Sequence, residues 1–300
     1  MNAPYALEVS GVRKSFGGTE VVKGISFTVR RGEVFGLVGP NGAGKTTTIR
    51  MLMDIVRADA GDIMVLGEPL QDKTKNRIGY LPEERGLYRR LTVTETISYL
   101  ATLKGMTPQA AKHQAARLLE RVGLAAHKDK KINELSRGMA QLIQFVVTLI
   151  NDPDLVILDE PFSGLDPVNR RLLKEMVSDL RARGKTVLFS THMMNEVEEL
   201  CNRILMIDQG EAVLYGTLAE IKARFSNNSV LVEAEGDLSR VWGIAEIKER
   251  GAQRELVLSQ GATSQEVLQH IVERGIKVRR FEIATPSLDE IFVRVVQEGR

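Results

Sequence analysis

Apolar and polar residues alternate near the start of the chain in LEVSGV and ISFTV, the period-two pattern of strands buried on one face. VFGLVG, apolar almost throughout, also reads as a strand. A Gly-rich turn follows it, then a helix from Gly44 to about Met53 and another strand in DIMVL. From about Leu91 to Ile150 the spacing becomes helical: Thr92 with Glu95 reads as a capping box, AAKHQAARLLERVG repeats its apolar positions at helical intervals, and Ser136 opens a further apolar-faced helix. LVILDEP is a continuous apolar run ending in acids, and TVLFSTH repeats that design after an intervening helix, so the two predict buried parallel strands. Past about Lys222 the polar break SNNS leads into strand-like VLVEAE, ELVLS and VRRFEIA. Two capped helices are expected there, opening at Thr263 with Glu266 and at Ser287 with Glu290. The pattern predicts an α/β main domain over residues 1–222, with a mixed-sheet core and a helical subdomain at about 88–150, and a small α/β domain over 223–300.

Composition narrows the function classes. With 41 Lys and Arg against 39 Asp and Glu, the surface as a whole carries no strong field to hold nucleic acid or anionic lipid, so no nucleic-acid partner is expected. The single cysteine, Cys201, cannot form an internal disulfide, and no Cys/His cluster has metal-ligand spacing; a reducing compartment is expected. Cys201 lies in the apolar-periodic EVEELCNRILMID and reads as a buried small hydrophobe. The first residues lack the basic-then-apolar pattern of a signal peptide, and apolar runs such as FVVTLI are too short to span a bilayer. Any spanning of a membrane is expected of another chain.

The residues that carry chemistry are concentrated at strand ends. GPNGAGKT, Gly39 to Thr46, fits G-x-x-x-x-G-K-[ST] and lies after an apolar strand and before a helix, where that loop must lie to cradle phosphates. Its glycines let backbone N–H groups converge, the helix presents its positive end, Lys45 can reach the β- and γ-phosphates, and the Thr46 hydroxyl can ligate Mg²⁺. Gly39, Asn41, Gly42, Gly44, Lys45, Thr46 and the adjoining Thr47 are the nucleotide-binding candidates. Asp159 ends a buried strand, where a carboxylate serving Mg²⁺ belongs, and Glu160 follows directly. Alternation breaks at a strand end, so the two acids can aim differently, Glu160 toward a water attacking the γ-phosphate.

Taken together these segments resemble the ABC ATPases, over about Leu7 to Leu214. Besides the phosphate loop and LVILDEP, the resemblance rests on three further segments. LSRGM (Leu135–Met139) is a variant of the LSGGQ signature, SGLD (Ser163–Asp166) matches the D-loop, and STH (Ser190–His192) matches the switch histidine. The resemblance implies a P-loop NTPase fold of the ABC type, with ATP and Mg²⁺ as ligands. It implies that Phe16 in KSFGG stacks on adenine, that Glu160 is the general base, that His192 contacts the γ-phosphate and that Asp166 lies at the nucleotide. Ser136 and Gly138 are expected at the N-terminus of a helix that serves the nucleotide held by a second ATPase subunit, most simply another copy. The remaining partner implied is an integral-membrane permease, which places the chain on the cytoplasmic face of the cell membrane.

Two departures from the family pattern stand out. Arg137 and Met139 replace a glycine and the glutamine of the signature, and Glu83 in IGYLPEERGLY stands where most members carry a glutamine. Glutamate keeps an oxygen for Mg²⁺ or water but loses the amide donor and adds charge near phosphate. Both changes resemble an exporter-type branch linked to sodium or drug extrusion, as does the tail containing TPSLDEIF. Glu83, Glu84 and Arg85 sit where the permease docks in the family, although a solvated charge cluster gives the same composition. Two other readings remain open: a soluble ABC ATPase acting on nucleic acid or ribosomes, against which stand the absence of zinc cysteines, long coiled coils or a second cassette, and a weakly active regulatory subunit, motivated by Glu83, Arg137 and Met139. No N-K-x-D guanine-reading motif is present.

Overall fold

The computed structural model describes residues 4–298 apart from 85, 227 and 252, so Arg85 of the charged junction lies outside the described residues. The chain divides into two compact units, residues 1–218 and 219–300.

The first unit is built on two sheets. Strands β1 (Tyr5–Phe16), β2 (Thr19–Arg30), β4 (Ala60–Val65) and β5 (Glu68–Pro69) form an antiparallel sheet in the order β2-β1-β4-β5. The second sheet runs β10-β9-β3-β8-β7-β6, from β3 (Val34–Val38), β6 (Ile78–Leu81), β7 (Leu155–Asp159), β8 (Thr186–Thr191), β9 (Arg203–Asp208) and β10 (Glu211–Thr217). All its pairings are parallel except that of β10 with β9. Every residue of β3, β7 and β8 is buried, which is why their sequences are apolar without alternation. Helix α1 (Lys45–Leu52) shares one core with both sheets: Ile49 and Leu52 belong with Leu7, Phe27, Phe35 and Ile157 to a single buried cluster. The phosphate loop therefore hangs on packed apolar structure on several sides.

The short α2 (Asp72–Lys75) precedes β6, and the helical stretch then comprises α3 (Val93–Leu103), α4 (Pro108–Arg121) and α5 (Arg137–Leu149). Thr92 and Glu95 make both bonds of a capping box, Thr107 caps α4 with Pro108 in its first turn, and Ser136 caps α5 through the N–H of Met139. Strand β6 was not foreseen from the sequence, because IGYL is too short to show a period. It earns its place by pairing with β7 and by packing under α5, and Gly79 makes the approach possible. A Cβ on Gly79 would stand 2.4 Å from the Thr148 carbonyl oxygen. Gly79→Ala is expected to destabilise the protein by about 1–3 kcal/mol through forced separation of β6 and α5, measured as a lower urea midpoint with unchanged slope.

Helices α6 (Pro167–Ala182) and α7 (Met194–Leu200) complete the crossovers, and α8 (Leu218–Phe225) follows β10. The apolar-periodic EVEELCNRILMID divides at Cys201: α7 ends before it and β9 begins after it, a division that helical spacing alone does not predict. Cys201 is a free, buried thiol whose titration is pushed well up by burial, and its Sγ would lie 3.0 Å from a Cβ on Gly36. The second unit is an antiparallel sheet, β12-β13-β11-β14, made of β11 (Ser229–Glu235), β12 (Ile244–Arg250), β13 (Gln253–Leu258) and β14 (Lys277–Ile283), with α9 (Ser264–Glu273) and α10 (Leu288–Glu298). Thr263 with Glu266 and Ser287 with Glu290 cap the two helices as the pattern predicted. The edge strand β12 escaped prediction because IAEIKER is mostly exposed and charged.

Candidate active site

The loop from β3 to α1 is shaped by two glycines that no other residue replaces without strain. Gly39 has φ +153 and a Cβ there would lie 2.1 Å from the Ile207 carbonyl oxygen; Gly44 has φ +103 and a Cβ there would lie 2.9 Å from that of Val21. The backbone can therefore wrap closely beside β9 and β2. Gly44 is the N-cap of α1, and among the described residues no side chain caps the first N–H groups of that helix. Those donors and the positive helix end face a depression of about 230 Å³ whose lining includes Asn41, Gly42, Thr46, Thr47, Glu83 and Glu160. Lys45 is 5% exposed, and its Nζ donates to the carbonyls of Gly39 (2.8 Å) and Pro40 (3.1 Å), so its charge is held at the loop's inner edge.

Two acids stand where β7 ends, and the second of them, Glu160, lines this depression. Asp159 is fully buried; its Oδ1 accepts from Ser190 Oγ and from Thr46 Oγ1 (3.3 Å), while Oδ2 has no hydrogen-bond partner among the described residues. Burial chiefly pushes its carboxyl above the ordinary range; the two hydroxyls oppose this, and the charges of Glu83 and Glu160 reinforce it. Glu160 takes φ +47, a left-handed backbone rare outside glycine, and its N–H donates to the same Ser190 Oγ (3.0 Å). That turn breaks strand alternation and swings the Glu160 side chain between a lysine and a histidine. Oε1 lies 3.4 Å from Lys45 Nζ, and Oε2 lies 3.0 Å from Nδ1 of His192.

The raised Asp159 carboxyl has a stability consequence whose sign follows from linkage. A folded-state value above the unfolded one favours folding while the group is protonated, and that benefit is lost as pH rises through the folded value, so the ionised carboxylate opposes folding at neutral pH. Asp159→Asn is expected to raise the urea midpoint of the nucleotide-free protein at pH 7. The gain over wild type should shrink as pH falls toward the ordinary carboxyl value of 3.8, which unfolding curves across that range would measure.

The other predicted residues fall in two further places. Phe16 ends the β1–β2 hairpin, 49% exposed, with Lys14 Nζ 5.4 Å from its ring centroid, and does not line the depression. Gly138 and Asp166 approach one another in a second place, with Ser136 at the cap of the same helix α5. Asp166 caps α6 through the N–H groups of Val168 and Asn169, and a Cβ on Gly138 would stand 3.2 Å from Asn169 Nδ2 and 3.7 Å from Asp166 Oδ2. The Asn169 N–H chiefly holds the Asp166 carboxyl below its ordinary range. Sequence reasoning gave no role to three residues that hold the site together. Ser190 ties both acids through one hydroxyl, Gln141 Nε2 donates to the carbonyl of Pro161 (3.3 Å), and Gln144 Nε2 donates to those of Pro82 and Glu84. A polar residue in the apolar stripe of α5 was the available signal.

The ABC transporter family profile matches residues 22–163, and that of the ATP-binding protein DrrA1-3-like C-terminal domain matches 216–296. The chain is 41% identical over 293 residues, 97% of its length and 98% of the relative's, to the uncharacterized ABC transporter ATP-binding protein YhaQ of Bacillus subtilis (strain 168). The chain belongs to the ABC transporter ATP-binding proteins. Nod factor export ATP-binding protein I of Burkholderia orbicola (strain AU 1054) is 42% identical over 213 residues, 70% of either chain. A solved ATP-binding subunit of an ABC transporter superposes with a TM-score of 0.69 at 30% identity, over 73% of this chain and 93% of that one. This ABC subunit is thus an ATPase that binds ATP, and ATP-binding subunits of the family work with membrane permease components. Among the described residues no helix is long and apolar enough to cross a membrane.

Proposed function

We propose that this ABC subunit powers an exporter, closing on ATP as a head-to-tail pair of copies and reopening after hydrolysis while a separate permease changes access. The observation that carries the reading is Glu160, turned out of its strand to meet both Lys45 and His192. Export rests on the similarity to the Nod factor export protein.

Lys45 is the cation for the β- and γ-phosphates, Gly39, Asn41, Gly42 and Gly44 supply the loop, and Thr47 lies beside the phosphates. Phe16 stacks on adenine. The free Oδ2 of Asp159, the Thr46 hydroxyl and the exposed Glu83 carboxylate offer an all-oxygen donor set suited to Mg²⁺, which when bound neutralises charge on phosphate oxygens. No group of three His, Cys, Asp or Glu side chains among the described residues makes a metal cage, which suits an ion that completes its shell with phosphate and water. Glu160 accepts the proton of the attacking water and His192 orients it. Ser136 and Gly138, with Asp166 beside them, serve the nucleotide of the second copy. Residues 1–222 are the motor and 223–300 an accessory domain, and the subunit works at the cytoplasmic membrane face through its permease.

The test is steady-state ATPase activity of the purified chain with and without its candidate six-span permease in liposomes. Stimulation by the permease, with substrate leaving the cytoplasmic side, is the expected result. Hydrolysis indifferent to every permease tried would favour the regulatory or soluble readings instead.

A further inference from the structure

Helix α5 carries a polar stripe across a buried face. Gln141, Gln144 and Thr148, at helical spacing, are each at most 5% exposed, and both glutamines donate to carbonyls outside the helix. Gln141 holds Pro161, the residue after Glu160, whereas the Thr148 hydroxyl, with one hydrogen to give, lies 2.9 Å from the Gln144 carbonyl of its own helix and 3.3 Å from that of Tyr80 in β6. Gln144 does something more specific: its one amide nitrogen donates to Pro82 (3.3 Å) and to Glu84 (3.4 Å), the two residues that flank Glu83. The Gln144 Oε1 has no hydrogen-bond partner among the described residues, so the amide is kept buried although only half satisfied. An apolar side chain would fill that place without this desolvation cost. Glu83 itself is exposed beside the depression and has a charge that bears on Asp159.

We propose that Gln144 is a positioning residue for Glu83: by clamping the carbonyls on either side, it sets where the Glu83 carboxylate stands relative to Thr46 and Asp159. The helix that presents Ser136 to a second copy thereby also orients a metal-side carboxylate of its own site. A glutamate lacks the amide with which a glutamine could anchor itself by donating, so the backbone on both sides has to be held instead. The inference rests on the reading of Glu83 as a Mg²⁺ ligand.

The experiment measures binding of a fluorescent, non-hydrolysable ATP analogue to the full chain during Mg²⁺ titration and in EDTA. The variants are Glu83→Ala, Gln144→Met, their combination, and Thr148→Val as a control that loosens the same seam one turn away. Gln144→Met and Glu83→Ala are each expected to raise the half-saturating Mg²⁺ concentration about tenfold, leaving binding in EDTA unchanged. The combination should be no weaker than Glu83→Ala alone, and Thr148→Val should behave as wild type. Gln144→Asn, whose shorter amide cannot span both carbonyls, is the second variant should Gln144→Met not fold. A Mg²⁺ response altered by Glu83→Ala but not by either Gln144 variant overturns the inference, and so does a Gln144 effect that persists in full without Glu83. An unaltered response in Glu83→Ala overturns the reading of Glu83 itself, and the positioning role with it.

Discussion

Glu160→Gln is expected to bind ATP with near-normal affinity yet hydrolyse it about 10²–10⁴-fold more slowly, the usual contribution of a general base. The substitution isolates the chemistry because so little else changes. The left-handed backbone at this position is held by the bond from the Glu160 N–H to Ser190 Oγ, which glutamine retains, and the side chain keeps its size between Lys45 and His192. The capacity to take a proton is lost, and with it the negative charge beside Lys45 and His192. Phosphate release at saturating ATP reads the rate, and size-exclusion chromatography with ATP should reveal an accumulating dimer. Turnover at the wild-type rate would remove Glu160 from the role of base, and a monomer under the same conditions would count against ATP-driven closure.

Lys45→Ala should act on binding and on folding together. The ammonium group lies buried against two carbonyls and the Glu160 carboxylate, which is itself 7% exposed. Removing it takes a charged donor from the phosphate site, worth about 1.5–3 kcal/mol, or about 10–100-fold in ATP affinity. It also leaves the buried carboxylate without its cation, a change that typically costs about 3–5 kcal/mol in an enclosed pair and somewhat less beside an open depression. Urea unfolding of the nucleotide-free protein would measure this loss. Adding Glu160→Gln to Lys45→Ala should recover part of the stability while ATP affinity stays low. Equal stability of the single and double variants would mean that the pair is solvated rather than buried.

Much of the fold was legible because its signals are short-range. The capping boxes at Thr92 and Thr263 and the caps at Ser136 and Ser287 use residues three positions apart, and each forms as written. The unbroken apolar runs of β7 and β8 likewise announce strands covered on both faces. Elements that depend on a partner left no comparable trace. β6 has four residues, β12 is a charged edge, and the helix-to-strand change at Cys201 happens inside one continuous apolar pattern. In each case the neighbouring strand, absent from the local sequence, supplies the hydrogen bonds that decide the conformation.

The same division runs through the site. The phosphate loop was readable from GPNGAGKT because a turn, a helix end and a lysine within eight residues already contain the machinery for gripping phosphate. Sequence also assigned chemical capacity: Asp159 to a cation, Glu160 to a proton. It could not say that Glu160 leaves its strand in a left-handed turn, that Ser190 binds both acids, or that Gln144 brackets Glu83. These meetings join residues 30 to 62 positions apart. They exist because β3, β7 and β8 lie parallel and side by side, so that their C-terminal ends open on one crevice, while β6 holds the Glu83 segment against α5. A short segment can encode which groups it offers, but the distances between groups on separate segments are set by how the sheet stacks and what packs against it.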